Sequence, residues 1–159
     1  MRIAAHVEKY RRLAASLRRF DPRSDSELWI WTAMNAGVHL LNAALHHQRI
    51  TEEVDSFHTQ VEGLYLVPDR KTGTFADVIH APGDVMHVGQ PPIERQMPAA
   101  IELASASLKL IEELREAHVR GSEPIPEGAE AEWTRAYEVC VKHLLEVLGA
   151  SSQGRLGED

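Results

Sequence analysis

Apolar residues recur at intervals of three and four in four separate stretches of the chain, and this spacing predicts four amphipathic helices. The stretches lie at about 3–20, 24–49, 98–119 and 129–148. Asp21 and Pro22 favour an end to the first helix, and Gly121 and Gly149 favour ends to the third and fourth, because proline and glycine interrupt helices. We expect an all-α fold, a four-helix bundle with up-down-up-down connectivity.

The second predicted helix is unusual because residues 28–48 contain no Asp, Glu, Lys or Arg. Two apolar faces run along it. The larger face carries bulky side chains: Leu28, Trp31, Val38, Leu41 and Leu45. The second face carries small residues and one leucine: Ala33, Ala36, Gly37, Leu40, Ala43 and Ala44. A helix that is apolar on most sides is buried on most sides, so this helix should form the buried centre of the fold.

The same segment is long enough to cross a bilayer, but its composition argues against a membrane span. It contains polar residues that are costly in hydrocarbon: Thr32, Asn35, His39, Asn42, His46, His47 and Gln48. The first twenty residues carry charges throughout and do not resemble a secretory signal. Cys140 is the single cysteine, which excludes a disulfide within the chain and favours a reducing compartment. We therefore expect a cytoplasmic protein without membrane contact.

Composition is that of an ordinary globular domain. Of the 159 residues, 26% are charged and 43% are hydrophobic. The formal net charge is -7, and an acidic chain repels phosphate backbones, so nucleic acid is not expected as a partner. We expect a single domain at 1–149 and a flexible polar tail at 150–159.

Residues 51–97 separate the second and third helices and depart from helical spacing. The segments LYLV and TFADVIH are rich in β-branched and aromatic residues and flank the polar turn PDRKTG, which predicts a short β-hairpin. Connections between packed helices usually take about 2–8 residues. A connection this long is either a functional lid or a mobile excursion, and the sequence leaves both open.

The second and third helices each carry more than one apolar face. On the third helix, a second apolar stripe follows the first: Leu103, Ala106, Leu110, Leu114 and Ala117. In an isolated four-helix bundle one such face would be left in water, and pairing with a second copy would cover it. We therefore expect a homodimer.

Four polar side chains form a stripe along the second helix: Asn35, His39, Asn42 and His46. An unpaired buried amide or imidazole costs on the order of 1–3 kcal/mol, so the stripe must find partners. It could hydrogen-bond to a neighbouring helix, line a cleft for a small ligand, or bind a metal ion through His39 and His46. Seven residues span about 10.5 Å along a helix axis, so these two histidines could share one ion only by leaning strongly toward each other.

The long connection carries two more candidate metal ligands, His80 and His87, with Asp77 and Asp84 close by. Histidine and aspartate at such spacing can bind zinc or another divalent ion. The established helical metal motifs, HExxH and paired Glu-x-x-His, do not occur in the sequence.

Two functions are compatible with these features. The first is a dimeric, non-catalytic helical module that binds a partner or a small ligand, with a pocket lined by the stripe residues of the second helix. The alternative is a metal-dependent enzyme, most simply a hydrolase. Its divalent ion would be held by His39 or His46 and completed by His80, His87 or nearby carboxylates.

Overall fold

The computed structural model describes residues 1–53, 84 and 96–149, together with the backbone of residues 63–69 and 74–80. In these parts of the chain there are four α-helices: α1 (Ile3–Leu17), α2 (Ser26–His47), α3 (Ala99–Leu114) and α4 (Ala129–Val147). The four helices predicted from apolar spacing are therefore present, with ends that differ by a few residues. Among the described residues, no helix combines the length and the apolar content that a membrane crossing needs.

Two antiparallel strands lie in the connection between α2 and α3. Strand β1 (Gly63–Asp69) pairs with β2 (Thr74–His80), with Gly63 opposite His80 and Asp69 opposite Thr74. The predictions of a lid in 51–97 and of a polar tail at 150–159 fall largely on residues outside the described part of the chain.

Helix α2 is the centre of the packing. Helix α1 packs along α2, α3 packs along α4, and α2 also contacts both α3 and α4. Buried side chains extend along α2 from Trp29 to His46. The prediction of a buried central helix is confirmed for this stretch, but it is wrong at both ends of 28–48, where Leu28 is 55% exposed and His47 and Gln48 are exposed.

The small-residue face of α2 is covered within the same chain. At Gly37 the helix approaches α3 so closely that an added Cβ would lie 2.3 Å from Cδ2 of Leu108. Ala36 and Ala44 on this face are fully buried in the same apolar cluster as Leu108. This face of α2 is therefore covered within the chain and does not itself require a second copy.

Helix α3 continues into a π-helical turn at Arg115–Arg120. The buried guanidinium of Arg115 pairs with the carboxylates of Glu112 and Glu116 and lies 4.9 Å from the centre of the Trp31 ring. Trp31 is partly exposed, and the Arg115 guanidinium lies beside its ring. Trp29 instead packs in the core, with its ring centre 6.3 Å from that of Trp133.

Candidate metal centre

Three buried side chains from distant parts of the sequence meet where the first turn of α1 packs against the last turns of α2. They are His6 of α1, His46 of α2 and Asp84 of the α2–α3 connection. Asp84 Oδ1 accepts hydrogen bonds from His6 Nε2 at 3.0 Å and from His46 Nε2 at 2.7 Å. The second carboxylate oxygen of Asp84 accepts a hydrogen bond from the amino group of Met1.

His6 fills the space between the two histidines of the α2 stripe. Its ring centre lies 5.3 Å from the ring centres of both His39 and His46. The two stripe histidines are two helical turns apart, and His6 is the neighbour that both of them contact. A side chain from α1 therefore makes the connection that the spacing on α2 alone could not provide.

Each imidazole of the pair that contacts Asp84 has a second polar neighbour at its other nitrogen. Thr51 Oγ1 lies 2.6 Å from His46 Nδ1, and His39 Nδ1 lies 3.0 Å from His6 Nδ1. Such partners fix the orientation and the tautomer of a ring, as they do in metal sites. With an ion on both Nε2 atoms, His46 Nδ1 would donate to Thr51 and His6 Nδ1 would donate to His39.

The charge state of this cluster suits a cation. Burial lowers the pKa of His6, although Asp84 acts in the opposite direction. Burial also lowers the pKa of His39 to about 4. Burial by itself would raise the pKa of Asp84, but hydrogen bonds from His46 and His6 outweigh it and hold that pKa below its usual range. Near neutral pH, Asp84 is a carboxylate and His6 is neutral, which are the forms that bind metal.

The geometry of the cluster fits one ion. One ligand atom from each of His6, His46 and Asp84 lies within 4.8 Å of the others. Ligands on a tetrahedral zinc ion at 2.0–2.1 Å are roughly 3.4 Å apart, so shifts of about 1 Å would bring these atoms onto one ion. Two histidines and one carboxylate form a donor set used by catalytic zinc and by non-haem iron.

The site residues predicted from the sequence do not all lie in this cluster. Of the predicted metal ligands, His46 lies in the cluster and His39 lies beside it. The backbone of His80 is at the end of β2, and His87 is outside the described residues. Asn42 is buried, whereas Asn35 is exposed and its Nδ2 donates to the Trp31 carbonyl oxygen at 2.7 Å.

Sequence reasoning missed His6 as a candidate ligand and treated Asp84 only as a neighbour of the loop histidines. The available signal for His6 was its position on the covered side of α1, one turn before the buried Tyr10. A histidine on the apolar side of a helix needs a polar partner from another element. That signal gives no indication of which element supplies the partner.

A surface cleft of about 440 Å³ lies next to the cluster. Its walls are formed by residues of α1 and α2: Lys9, Arg12, Leu13, Ser16, Asn35 and His39. His39 therefore borders the cleft and also contacts His6, which links the buried cluster to the surface.

The chain was also compared with known proteins. No protein-family model, curated protein or solved structure matches it.

Proposed function

We propose that the protein binds one divalent transition-metal ion through His6, His46 and Asp84 and uses it as a metal-dependent hydrolase. The observation that carries this proposal is the convergence of two imidazole nitrogens and a carboxylate oxygen within 4.8 Å, all on buried side chains. The buried Asp84 carboxylate is paired with the amino group of Met1 and with the two imidazoles, and a divalent ion would take the place of the two imidazole contacts.

Hydrolysis is the simplest chemistry for this donor set. Three protein ligands leave one position of a tetrahedral ion for water, and zinc lowers the pKa of a bound water to about 7. An ion held by His6, His46 and Asp84 would supply an activated water for the hydrolysis of an ester, amide or phosphoester, which needs no redox partner. Thr51 and His39 would keep the two ligand imidazoles oriented through their Nδ1 atoms.

The competing function is a non-catalytic binding module in which the same side chains form a closed hydrogen-bond network. Metal content separates the two functions. Protein purified without an affinity tag should carry about one equivalent of zinc, iron, manganese, nickel or cobalt, and His46→Ala should lose it. His143→Ala is the matched control, because His143 lies on α4 and contacts Glu146 rather than the cluster. Wild-type protein that holds less than about a tenth of an equivalent, even after incubation with these ions, would refute the metal centre.

The hydrolase half of the proposal has its own test. The metal-loaded protein should hydrolyse at least one member of a panel of carboxylic esters, phosphoesters and amides. A strong chelator should abolish this activity, and the same ion should restore it. Stoichiometric metal without turnover of any substrate class would support a metal-binding protein and refute the proposed hydrolase activity.

We also propose how the four helices are connected and how the chain assembles with a second copy. The connections 18–25 and 121–128 are short and α1–α2 and α3–α4 are the main packed pairs, which favours up-down-up-down order. Leu103, on the second stripe of α3, is 52% exposed, whereas Leu110 and Leu114 of that stripe pack partly against the core. The exposed start of the stripe is therefore the ground for a homodimer. Light scattering at micromolar concentration should give the mass of two chains, and Leu103→Glu should reduce it to one. A wild-type monomer would contradict the dimer.

A further inference from the structure

The cleft beside the candidate metal centre has a charge opposite to that of the whole chain. The formal net charge of the protein is -7, yet the described residues that line the cleft include Lys9 and Arg12 and no carboxylate, although Glu8 pairs with Arg12. Two cations in a concave site raise the local concentration of anions. Its volume of about 440 Å³ is sufficient for a small molecule.

We propose that this cleft binds the anionic group, a phosphate or a carboxylate, of a small molecule. The uncharged side chains of the wall provide further hydrogen-bond donors. Asn35 uses one amide hydrogen on the Trp31 carbonyl, and its Nδ2 carries a second. Ser16 accepts a hydrogen bond from Arg19 through its oxygen, so its hydroxyl hydrogen remains available to an anion.

Arg12 can exchange its present partner for a ligand. It forms an ion pair with Glu8 at 3.5 Å, and both side chains are 69% exposed. Exposed pairs of this kind contribute little to stability, so an anion that offers two oxygens to the guanidinium can compete for it. Leu13 forms an apolar part of the wall that can contact the uncharged portion of the ligand.

The cleft lies one imidazole away from the proposed metal ligands. His39 lines the cleft, and its Nδ1 is 3.0 Å from Nδ1 of His6. A molecule anchored at Lys9 and Arg12 is therefore held next to the centre. That this molecule is the substrate of the hydrolase rests on the proposed function, whereas anion binding does not require the metal.

The test uses inorganic phosphate and acetate as probes, with the full chain in chelator-treated and zinc-loaded forms. Two-dimensional NMR should show saturable shifts of the Asn35 side-chain amide and of the Lys9 and Ser16 backbone amides in the chelator-treated form as well. Lys9→Met should weaken binding about tenfold or more, and Arg12→Gln should act in the same direction. Lys109→Met removes the same charge from exposed α3, where Lys109 lies near Glu113, and should leave binding within about twofold.

Each outcome decides a separate point. Tighter binding of phosphate assigns the cleft to phosphate esters, and tighter binding of acetate assigns it to carboxylates. The inference is overturned if neither probe gives a saturable shift below about 20 mM, or if Lys9→Met and Lys109→Met weaken binding equally. Zinc uptake measured on the same preparations tests the proposed function independently. Anion binding by protein that takes up no zinc refutes the metal centre alone, and zinc uptake without anion binding refutes the cleft alone.

Discussion

At the scale of single residues, Thr51 determines how His46 is presented to an ion. Its hydroxyl oxygen lies 2.6 Å from His46 Nδ1, so His46 Nε2 is directed toward Asp84. Partners of this type typically contribute a factor of 10 to 100 to metal affinity. We expect Thr51→Val to weaken zinc binding by about 10- to 100-fold, measured by competition with a chromophoric chelator.

Thr134 offers a matched control for that substitution. Its hydroxyl is buried on α4 and has no hydrogen-bond partner among the described residues. Thr134→Val makes the same chemical change without removing a contact to the cluster, so zinc affinity should be unchanged. Equal losses in the two variants would mean that Thr51 acts through general stability and not through His46.

Cys140 is a second residue whose chemistry follows from its position. Its side chain is fully buried in α4, and burial raises the pKa of the thiol. The thiolate is the reactive form, so the native protein should react with a chromogenic aromatic disulfide only as fast as it unfolds. Full reaction of the single thiol is expected in denaturant. Rapid reaction of the folded protein at pH 8 would contradict this account.

The residues of the candidate centre could be predicted only in part. His46 could be selected because its polar side chain recurs on an uncharged helix at the spacing of the stripe. His6 and Asp84 reach it from positions 40 residues before and 38 residues after in the sequence. Helical periodicity relates residues of one helix and contains no information on contacts between elements.

At the scale of elements, the stripe on α2 meets two different environments. Its first half, Asn35 and His39, borders the cleft with α1. Its second half, Asn42 and His46, is buried. That all four stripe residues bind one ligand stays a prediction. The cleft and the buried polar site, which the sequence offered as alternatives, lie at different ends of the stripe. The sequence pattern could not distinguish the two halves of the stripe, because the boundary between them depends on where α1 and Asp84 contact α2.

The contact between α2 and α3 depends on a residue without a side chain. Gly37→Ala adds a methyl group that would lie 2.3 Å from Leu108, whose side chain is itself fully buried. Replacing glycine by alanine in a helix gains up to about 1 kcal/mol, whereas overpacking a core costs about 1–3 kcal/mol. We expect Gly37→Ala to lower the free energy of unfolding by about 0.5–2 kcal/mol in urea denaturation.

The same substitution in a Leu108→Ala background identifies the cause. Leu108→Ala should itself cost about 2–5 kcal/mol, because it leaves a cavity against Gly37. With that space open, the added methyl group no longer clashes, and Gly37→Ala should become neutral or stabilising by up to about 1 kcal/mol. Destabilisation of the same size in both backgrounds would show that the close approach to Leu108 is not the constraint.

At the scale of the whole molecule, the proposed metal centre joins α1, α2 and the connection that contains Asp84, so the bound ion should stabilise the native fold. A ligand that binds only the folded state adds about 2.7 kcal/mol when its free concentration is a hundred times its Kd. For a domain of this size each kcal/mol raises Tm by about 2–4 °C, so zinc should raise Tm by roughly 5–11 °C.

This rise in Tm should be absent in His46→Ala and retained in His143→Ala, which also removes one imidazole but leaves the cluster intact. The rise in Tm should also shrink at acidic pH, because protons compete with the ion for His6. Since burial lowers the pKa of His6, this loss should occur only below the ordinary pKa of an imidazole. An equal rise in both variants would place the stabilising zinc elsewhere on the protein and would contradict the centre at His6, His46 and Asp84.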